Sequence, residues 1–121
     1  MSTVLIVDDS QTLRQLLIAL LGNQGIKVIE ATNGLEAKEQ IQANPPDLVI
    51  TDLIMPQMNG YELCRWLKNE PTLQTIPVLI CSTKSEQFDR YWGMKQGADA
   101  YITKPFNPPE LLRMVNQLLI K

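Results

Sequence analysis

Several polar residues of this sequence directly follow short apolar runs, at positions where β-strands would end. These residues are Asp8, Asp9, Asp52, Ser82, Thr83 and Lys104. In an open α/β sheet, ligands bind beyond the carboxyl ends of the strands. If the apolar runs form one parallel sheet, three carboxylates, two hydroxyl groups and one ammonium group converge on a single crevice.

The chemistry of such a crevice follows from its charges. Three carboxylates repel each other, and their loss of hydration adds to that cost. Lys104 supplies a single positive charge and cannot balance three negative ones, so either protons or a cation must relieve the repulsion. An oxygen-only donor set favours Mg²⁺ or Mn²⁺. A carboxylate beside a divalent cation, a lysine and a hydroxyl group is arranged to accept a phosphoryl group, a reaction that depends on positioning and charge neutralisation.

Each of these residues also has an ordinary structural explanation. Asp9 or Ser10 could simply cap the helix that follows. Lys104 alone could be a solvated surface lysine, and residues 82–85 alone could be a loop that leads into a helix cap. The placement of the whole set at strand ends favours the chemical interpretation.

Composition excludes several other classes of protein. The chain has 121 residues and no histidine, which removes Ser-His-Asp catalysis and most zinc sites. A net charge of −2 argues against nucleic acid and anionic membranes as partners. No stretch is long and apolar enough for a membrane span or has the form of a signal peptide, so we expect a cytoplasmic protein. Cys64 and Cys81 lie among apolar neighbours and are expected to be reduced and buried.

The elements that position these residues alternate along the chain. The apolar runs predict strands at residues 4–7, Lys27–Ala31, Leu48–Thr51, 78–81 and Ala100–Thr103. Helical periodicity or helix-start and helix-stop residues predict helices at 13–21, 35–43, 61–67, 85–96 and from Pro108 onward. Strands joined through helices are parallel. The sequence therefore predicts an α/β fold, a (βα)₅ doubly wound parallel sheet in one domain that spans residues 1–121.

The whole chain resembles the receiver domain of two-component response regulators, particularly stand-alone chemotaxis-type regulators. The matching segments are VLIVDDS at 4–10, DLVITDLIMP at 47–56 with NG at 59–60, PVLICS at 77–82 and GADAYITKPF at 97–106. The resemblance implies the flavodoxin-like strand order 2-1-3-4-5. It also implies that Asp52 accepts a phosphoryl group from a histidine kinase or phosphotransfer protein.

The resemblance assigns roles to the other site residues. It implies that Asp9, Asp52 and the backbone carbonyl of Ile54 hold Mg²⁺, with Asp8 assisting through water. The phosphoryl group would then contact three further groups, namely the Ser82 hydroxyl, the Thr83 backbone N–H and the Lys104 ammonium. The bond between Lys104 and Pro105 is typically cis in this family.

The resemblance further implies a signalling surface. Tyr101 corresponds to the aromatic residue that turns inward when the hydroxyl residue moves toward phosphate. A partner would bind the face of the fourth helix, fifth strand and fifth helix, on or near which lie Arg90, Met94, Tyr101 and Met114. The fourth helix also carries three aromatic residues, of which we expect Phe88 in the core and at least one of Phe88, Tyr91 and Trp92 exposed for a partner.

Other functions remain as alternatives. A haloacid-dehalogenase-like phosphatase would carry a second acid two residues after its nucleophile, where this sequence has Ile54. A flavodoxin-like cofactor protein would have a phosphate-binding loop where Asp8 and Asp9 stand. A pseudo-receiver would bind partners without phosphorylation. The favoured function is a stand-alone regulator without an output domain, serving chemotaxis or type IV pilus motility and catalysing only its own phosphorylation and dephosphorylation. The resemblance also implies that Ile54 and Lys84 flank the phosphoryl group and influence its hydrolysis. Because the apolar Ile54 side chain cannot orient an attacking water, we predict a long phosphoryl lifetime.

Overall fold

The computed structural model describes residues 2–120, so the predicted domain limits at residues 1 and 121 lie outside the described residues. Within that part of the chain, the strands are β1 (Thr3–Val7), β2 (Lys27–Ala31), β3 (Leu48–Thr51), β4 (Val78–Ser82) and β5 (Ala100–Thr103). The helices are α1 (Gln11–Gly22), α2 (Gly34–Ala43), α3 (Gly60–Asn69), α4 (Gln87–Lys95) and α5 (Pro108–Leu119). All strand pairs are parallel, in the order β2-β1-β3-β4-β5. The predicted fold class is confirmed.

The sheet is buried on both faces, which explains its continuous apolar strands. Successive side chains of a strand point to opposite faces. In β1, Leu5 and Val7 pack in one core cluster, while Val4 and Ile6 pack in the other. The first cluster includes residues of α2 and α3, and the second includes residues of α1 and α5. The helices therefore cover both faces and leave the carboxyl ends of the strands open.

Side-chain caps set where several helices begin. Ser10 caps α1 by accepting a hydrogen bond from Leu13 N, so Ser10 and not Asp9 is the capping residue. Asn33, Asn59 and Asn107 make the same kind of bond at α2, α3 and α5. The predicted fourth helix is too long, because Glu86 and Asp89 form a capping box that starts α4 at Gln87.

The expectation that Phe88 packs in the core is wrong. Phe88 is 68% exposed, Tyr91 58% and Trp92 42%. The reason is that α4 meets the sheet through Gly93, where an added Cβ would lie only 2.9 Å from Ile80 Cδ1. The aromatic residues are thus turned toward solvent, and the expectation that at least one is exposed is confirmed.

The two cysteines are free and buried, as predicted. Burial raises the pKa of Cys64 to about 11 and that of Cys81 to about 12. Both side chains are therefore neutral thiols near pH 7. Across residues 2–120, no helix combines the length and the apolar character that crossing a membrane requires.

Candidate functional site

The strand register brings the acidic residues together. Val7 at the end of β1 pairs with Ala31 on one side and with Thr51 on the other. The chain continues this pairing for one residue, because Asp8 N donates to Ala31 O (3.1 Å) and Asp52 N donates to Val7 O (3.0 Å). Asp8 and Asp52 therefore emerge side by side at the open edge of the sheet.

Three carboxylates form one cluster at this edge. One oxygen from each of Asp8, Asp9 and Asp52 lies within 4.8 Å of the other two. Asp8 is buried, Asp52 is half-buried and Asp9 is exposed, so the cluster is reached from the solvent side through Asp9. A hard, oxygen-only donor set of this kind fits Mg²⁺ or Mn²⁺. Ile54 lies in the following loop, and the residue is 56% exposed.

Lys104 reaches the cluster from the end of β5. Its Nζ lies 2.7 Å from Asp8 Oδ2 and 3.4 Å from Asp52 Oδ2. Burial opposes the charge on Lys104, but the hydrogen bond to Asp8 and the charges of both carboxylates outweigh burial and raise its pKa. The Lys104–Pro105 bond is cis, as the resemblance implies. Lys104 is thus a charged group held between the buried acid and Asp52.

Asp8 is fixed by bonds to all of its polar groups. Besides the backbone bond to Ala31, its Oδ1 accepts from Ser10 N at 2.8 Å and its Oδ2 accepts from Lys104. Its carbonyl oxygen accepts from Arg14 Nη1 at 2.8 Å. Sequence reasoning missed Arg14, since an arginine on the first helix carries no pattern that reveals its partner.

Asp52 is held in place by its two chain neighbours and by the start of α3. Its Oδ1 accepts from Leu53 N at 2.7 Å, and its carbonyl oxygen accepts from Thr51 Oγ1 at 2.9 Å. Gly60 packs directly on this carbonyl, because an added Cβ at residue 60 would lie 2.1 Å from Asp52 O. Sequence reasoning used Gly60 only as part of the NG pair at 59–60 and missed this contact.

Ser82 lies at the same carboxyl-terminal edge of the sheet, as the last residue of β4 and not after it as predicted. Its side chain is buried, and its Oγ accepts a hydrogen bond from Lys84 N at 3.2 Å. Its carbonyl oxygen accepts from Lys104 N at 2.8 Å, which ties the ends of β4 and β5 together. Thr83 follows at the exposed rim of the crevice.

The residues assigned to the signalling surface differ in how deeply they are buried. Tyr101 is buried, and its hydroxyl donates to Lys84 O at 2.6 Å. Burial raises the pKa of Tyr101 to about 12, so the hydroxyl keeps its proton. The guanidinium carbon Cζ of Arg90 lies 5.2 Å from the centroid of the Tyr101 ring, and Arg90 Nη1 donates a hydrogen bond to Tyr101 O at 3.3 Å. Met94 is exposed on α4, and Met114 is partly buried on α5.

A family model, a relative and two solved structures each match nearly the whole chain. A family model described as "Response regulator receiver domain" matches residues 4–116. The chain is 39% identical over 119 residues to Protein PilH of Pseudomonas aeruginosa, a match that covers 98% of each chain. The crystal structure of a response regulator from Chloroflexus aurantiacus matches with a TM-score of 0.95 at 36% identity, covering 99% of this chain and 98% of that one. Chemotaxis response regulator CheY4 of Vibrio cholerae matches with a TM-score of 0.92 at 33% identity, covering 98% and 99%.

Proposed function

The chain belongs to the response regulator receiver domain family, and from this premise we propose that it accepts a phosphoryl group on Asp52 and signals by binding other proteins. One observation carries the proposal: Lys104 bridges Asp8 and Asp52 while Asp9 completes a cluster of three carboxylates. A structural salt bridge would need only one of these acids. The surplus of negative charge beside one lysine is arranged for a cation and a phosphoryl group.

The two oxygens of Asp52 have different surroundings. Oδ1 accepts the short bond from Leu53 N, whereas Oδ2 faces Lys104 at the longer distance of 3.4 Å. Oδ2 is therefore the oxygen that forms the bond to phosphorus. In transfer from a phosphohistidine, Asp52 Oδ2 forms its bond to phosphorus as the P–N bond breaks. The imidazole leaves with the electron pair of that bond and is protonated by solvent. Lys104 Nζ moves from the carboxylates toward an oxygen of the transferred group.

The proposed metal site would combine the three converging carboxylates with one backbone carbonyl. Mg²⁺ or Mn²⁺ would be held by Asp9, Asp52 and the backbone carbonyl of Ile54, with Asp8 assisting through water, and would neutralise the charge of the transferred phosphoryl group. The Ser82 hydroxyl and the Thr83 backbone N–H would bind the phosphoryl oxygens.

A short chain of hydrogen bonds links this site to the signalling surface. Ser82 Oγ accepts from Lys84 N, and the carbonyl oxygen of Lys84 accepts from the Tyr101 hydroxyl. When Ser82 turns toward a phosphoryl group, its bond to Lys84 is lost, and the position of residue 84 relative to Tyr101 changes. The equilibrium between two arrangements of the face formed by α4, β5 and α5 is thereby biased.

The pathway is proposed from the kind of relatives found. Full-length likeness to PilH and to a chemotaxis response regulator supports a regulator in chemotaxis or type IV pilus motility. Its upstream partner would be a histidine kinase or phosphotransfer protein in the cytoplasm. Its downstream partner would be a protein bound through the α4-β5-α5 face. We expect no action on a separate substrate, only phosphotransfer to Asp52 and its hydrolysis.

Intact mass spectrometry tests the phosphoacceptor. The protein is incubated with acetyl phosphate and Mg²⁺, with Asp52→Asn and an EDTA-treated sample in parallel. A gain of one phosphoryl group in the parent alone supports the proposal. No gain, also with candidate kinases, would favour a pseudo-receiver that binds partners without phosphorylation.

Hydrogen exchange tests the signalling surface. Amide protection across residues 85–96 should change when the protein is phosphorylated, while α2 at the opposite end of the sheet should not change. Unchanged protection in both segments would contradict the proposed switch even if Asp52 is phosphorylated.

A further inference from the structure

Arg14 connects three parts of the fold with one side chain. From α1, its Nη1 donates to the carbonyl oxygen of Asp8 at 2.8 Å, and its Nε donates to Glu30 Oε1 on β2 at 2.9 Å. The Arg14 side chain is 13% exposed, and that of Glu30 is 44% exposed. The guanidinium group is thus fixed at both ends, by a backbone acceptor in the β1–α1 loop and by a carboxylate on the edge strand.

The backbone carbonyl that Arg14 holds belongs to the peptide plane between Asp8 and Asp9. This plane is rigid, so a bond to its oxygen also fixes the direction in which residue 9 leaves the loop. Asp8 has further anchors in Ala31, Ser10 and Lys104. The exposed Asp9 carboxylate depends instead on its backbone for its place in the cluster.

We propose that Arg14, anchored by Glu30, is a positioning residue that sets Asp9 for cation binding; this inference rests on the proposed cation site. Arg14 acts through the Asp8–Asp9 peptide and does not touch the cation. Groups that orient metal ligands in this way commonly change metal affinity by about ten- to a hundredfold when removed.

The charge of Arg14 makes the proposal easy to distinguish from a simple electrostatic effect. A positive group near the cluster repels a cation, so removal of its charge alone would tighten Mg²⁺ binding. Loss of positioning would weaken binding. A merely structural salt bridge with the half-exposed Glu30 would have little effect on either binding or stability.

Isothermal titration with Mg²⁺ tests the proposal on the metal-free protein at fixed ionic strength. Arg14→Met should bind Mg²⁺ roughly tenfold more weakly than the parent. Arg113→Met, which removes an exposed arginine on α5, is the matched control and should bind as the parent does. Arg14→Lys keeps the charge but loses the planar fork of donors, and should be weakened by about threefold, an intermediate loss. Arg14→Lys also provides the test if Arg14→Met does not fold.

A second measurement separates positioning from general destabilisation. The melting temperature in EDTA should fall by only a few degrees in Arg14→Met, about what the loss of one hydrogen bond to the Asp8 carbonyl costs, while the amide signals of Asp9 and Ser10 should shift and broaden in NMR spectra. Equal or tighter Mg²⁺ binding by both Arg14 variants would overturn the inference. Absence of Mg²⁺ binding by the parent would overturn the proposed cation site and this inference with it.

Discussion

Replacement of Gly60 by alanine is expected to displace Asp52, the proposed phosphoacceptor. The added Cβ would lie 2.1 Å from Asp52 O and 3.0 Å from both the Asp52 carbonyl carbon and Leu53 Cα. These are backbone atoms, so no side-chain rotation relieves the contact. Gly60 N also donates to Leu53 O at 3.0 Å, and this bond holds the start of α3 against the loop. Either the loop or the helix must move.

The cost of this movement follows from the kind of atoms in contact. Overpacking typically destabilises by about 1–3 kcal/mol, and a backbone obstacle places Gly60→Ala near the upper end. For a chain of this length, about 3 kcal/mol corresponds to a melting temperature roughly 10–15 °C lower. Displacement of a reacting group by about 1 Å costs on the order of a hundredfold in rate, so phosphorylation by acetyl phosphate should slow by about tenfold or more.

Two other glycines provide matched controls. An alanine Cβ at residue 34 would lie 2.4 Å from Met58 O, so Gly34→Ala should lose similar stability but keep most of the phosphorylation rate. An alanine at residue 22 would have no atom within 4 Å, and Gly22→Ala should gain about 0.5–1 kcal/mol. Thermal unfolding by circular dichroism and the initial rate by intact mass measure both effects. If Gly60→Ala melts and reacts as the parent does, or if Gly34→Ala reacts as slowly, the reasoning is refuted.

Three further predictions concern hydrolysis, the signalling surface and alkaline pH. Ile54→Asn should shorten the phosphoryl lifetime by about tenfold, because its amide orients an attacking water; an unchanged lifetime of the ³²P-labelled protein would contradict this. Tyr101→Phe removes the 2.6 Å hydrogen bond from the Tyr101 hydroxyl to the Lys84 carbonyl oxygen. The free energy of unfolding, measured by urea titration, should therefore fall by about 1 kcal/mol. No loss of stability would show that water replaces the hydroxyl. Burial raises the pKa of Cys64 from 9.0 to about 11 and that of Cys81 from 9.0 to about 12. Above pH 9 the thiols of the unfolded state therefore lose protons that the folded state keeps. Because this favours the unfolded state, the free energy of unfolding should fall between pH 9 and 12. A double Cys→Ala variant should show a smaller fall, and equal falls would refute burial of the thiols as the cause.

The strands and the acidic crevice were predictable because their signals are local. Continuous apolar runs mark strands covered on both faces, and the residue that follows each run must lie at the open edge of the sheet. The strand that contains Leu48–Thr51 therefore places Asp52 without any knowledge of its neighbours. Helix ends were less well predicted, since the capping box of Glu86 and Asp89 depends on side-chain geometry that periodicity does not show.

The residues that hold the site in place were not predictable, because their partners are distant in sequence. Arg14 bonds to Glu30, 16 residues away, and Gly93 in α4 owes its importance to Ile80 on β4 and Tyr101 on β5. The exposure of Phe88 has the same cause. Helical spacing predicts that one face of α4 is apolar, but the packing of Gly93 decides that this face is turned away from the sheet.

The attachment of α4 explains why a change at Ser82 would be felt on the protein surface. α5 buries three apolar side chains and α3 buries Leu63, Cys64 and Leu67, whereas in α4 only Gly93 is buried. Since a buried aliphatic side chain stabilises by about 1.5–3 kcal/mol, the other two helices are costly to move and α4 is not. α4 also bears the exposed Phe88, Tyr91 and Trp92. The helix with the most exposed apolar surface is thus the one with the fewest buried side chains, and under the proposed switch a small bias from the neighbouring Tyr101 would be enough to reposition it.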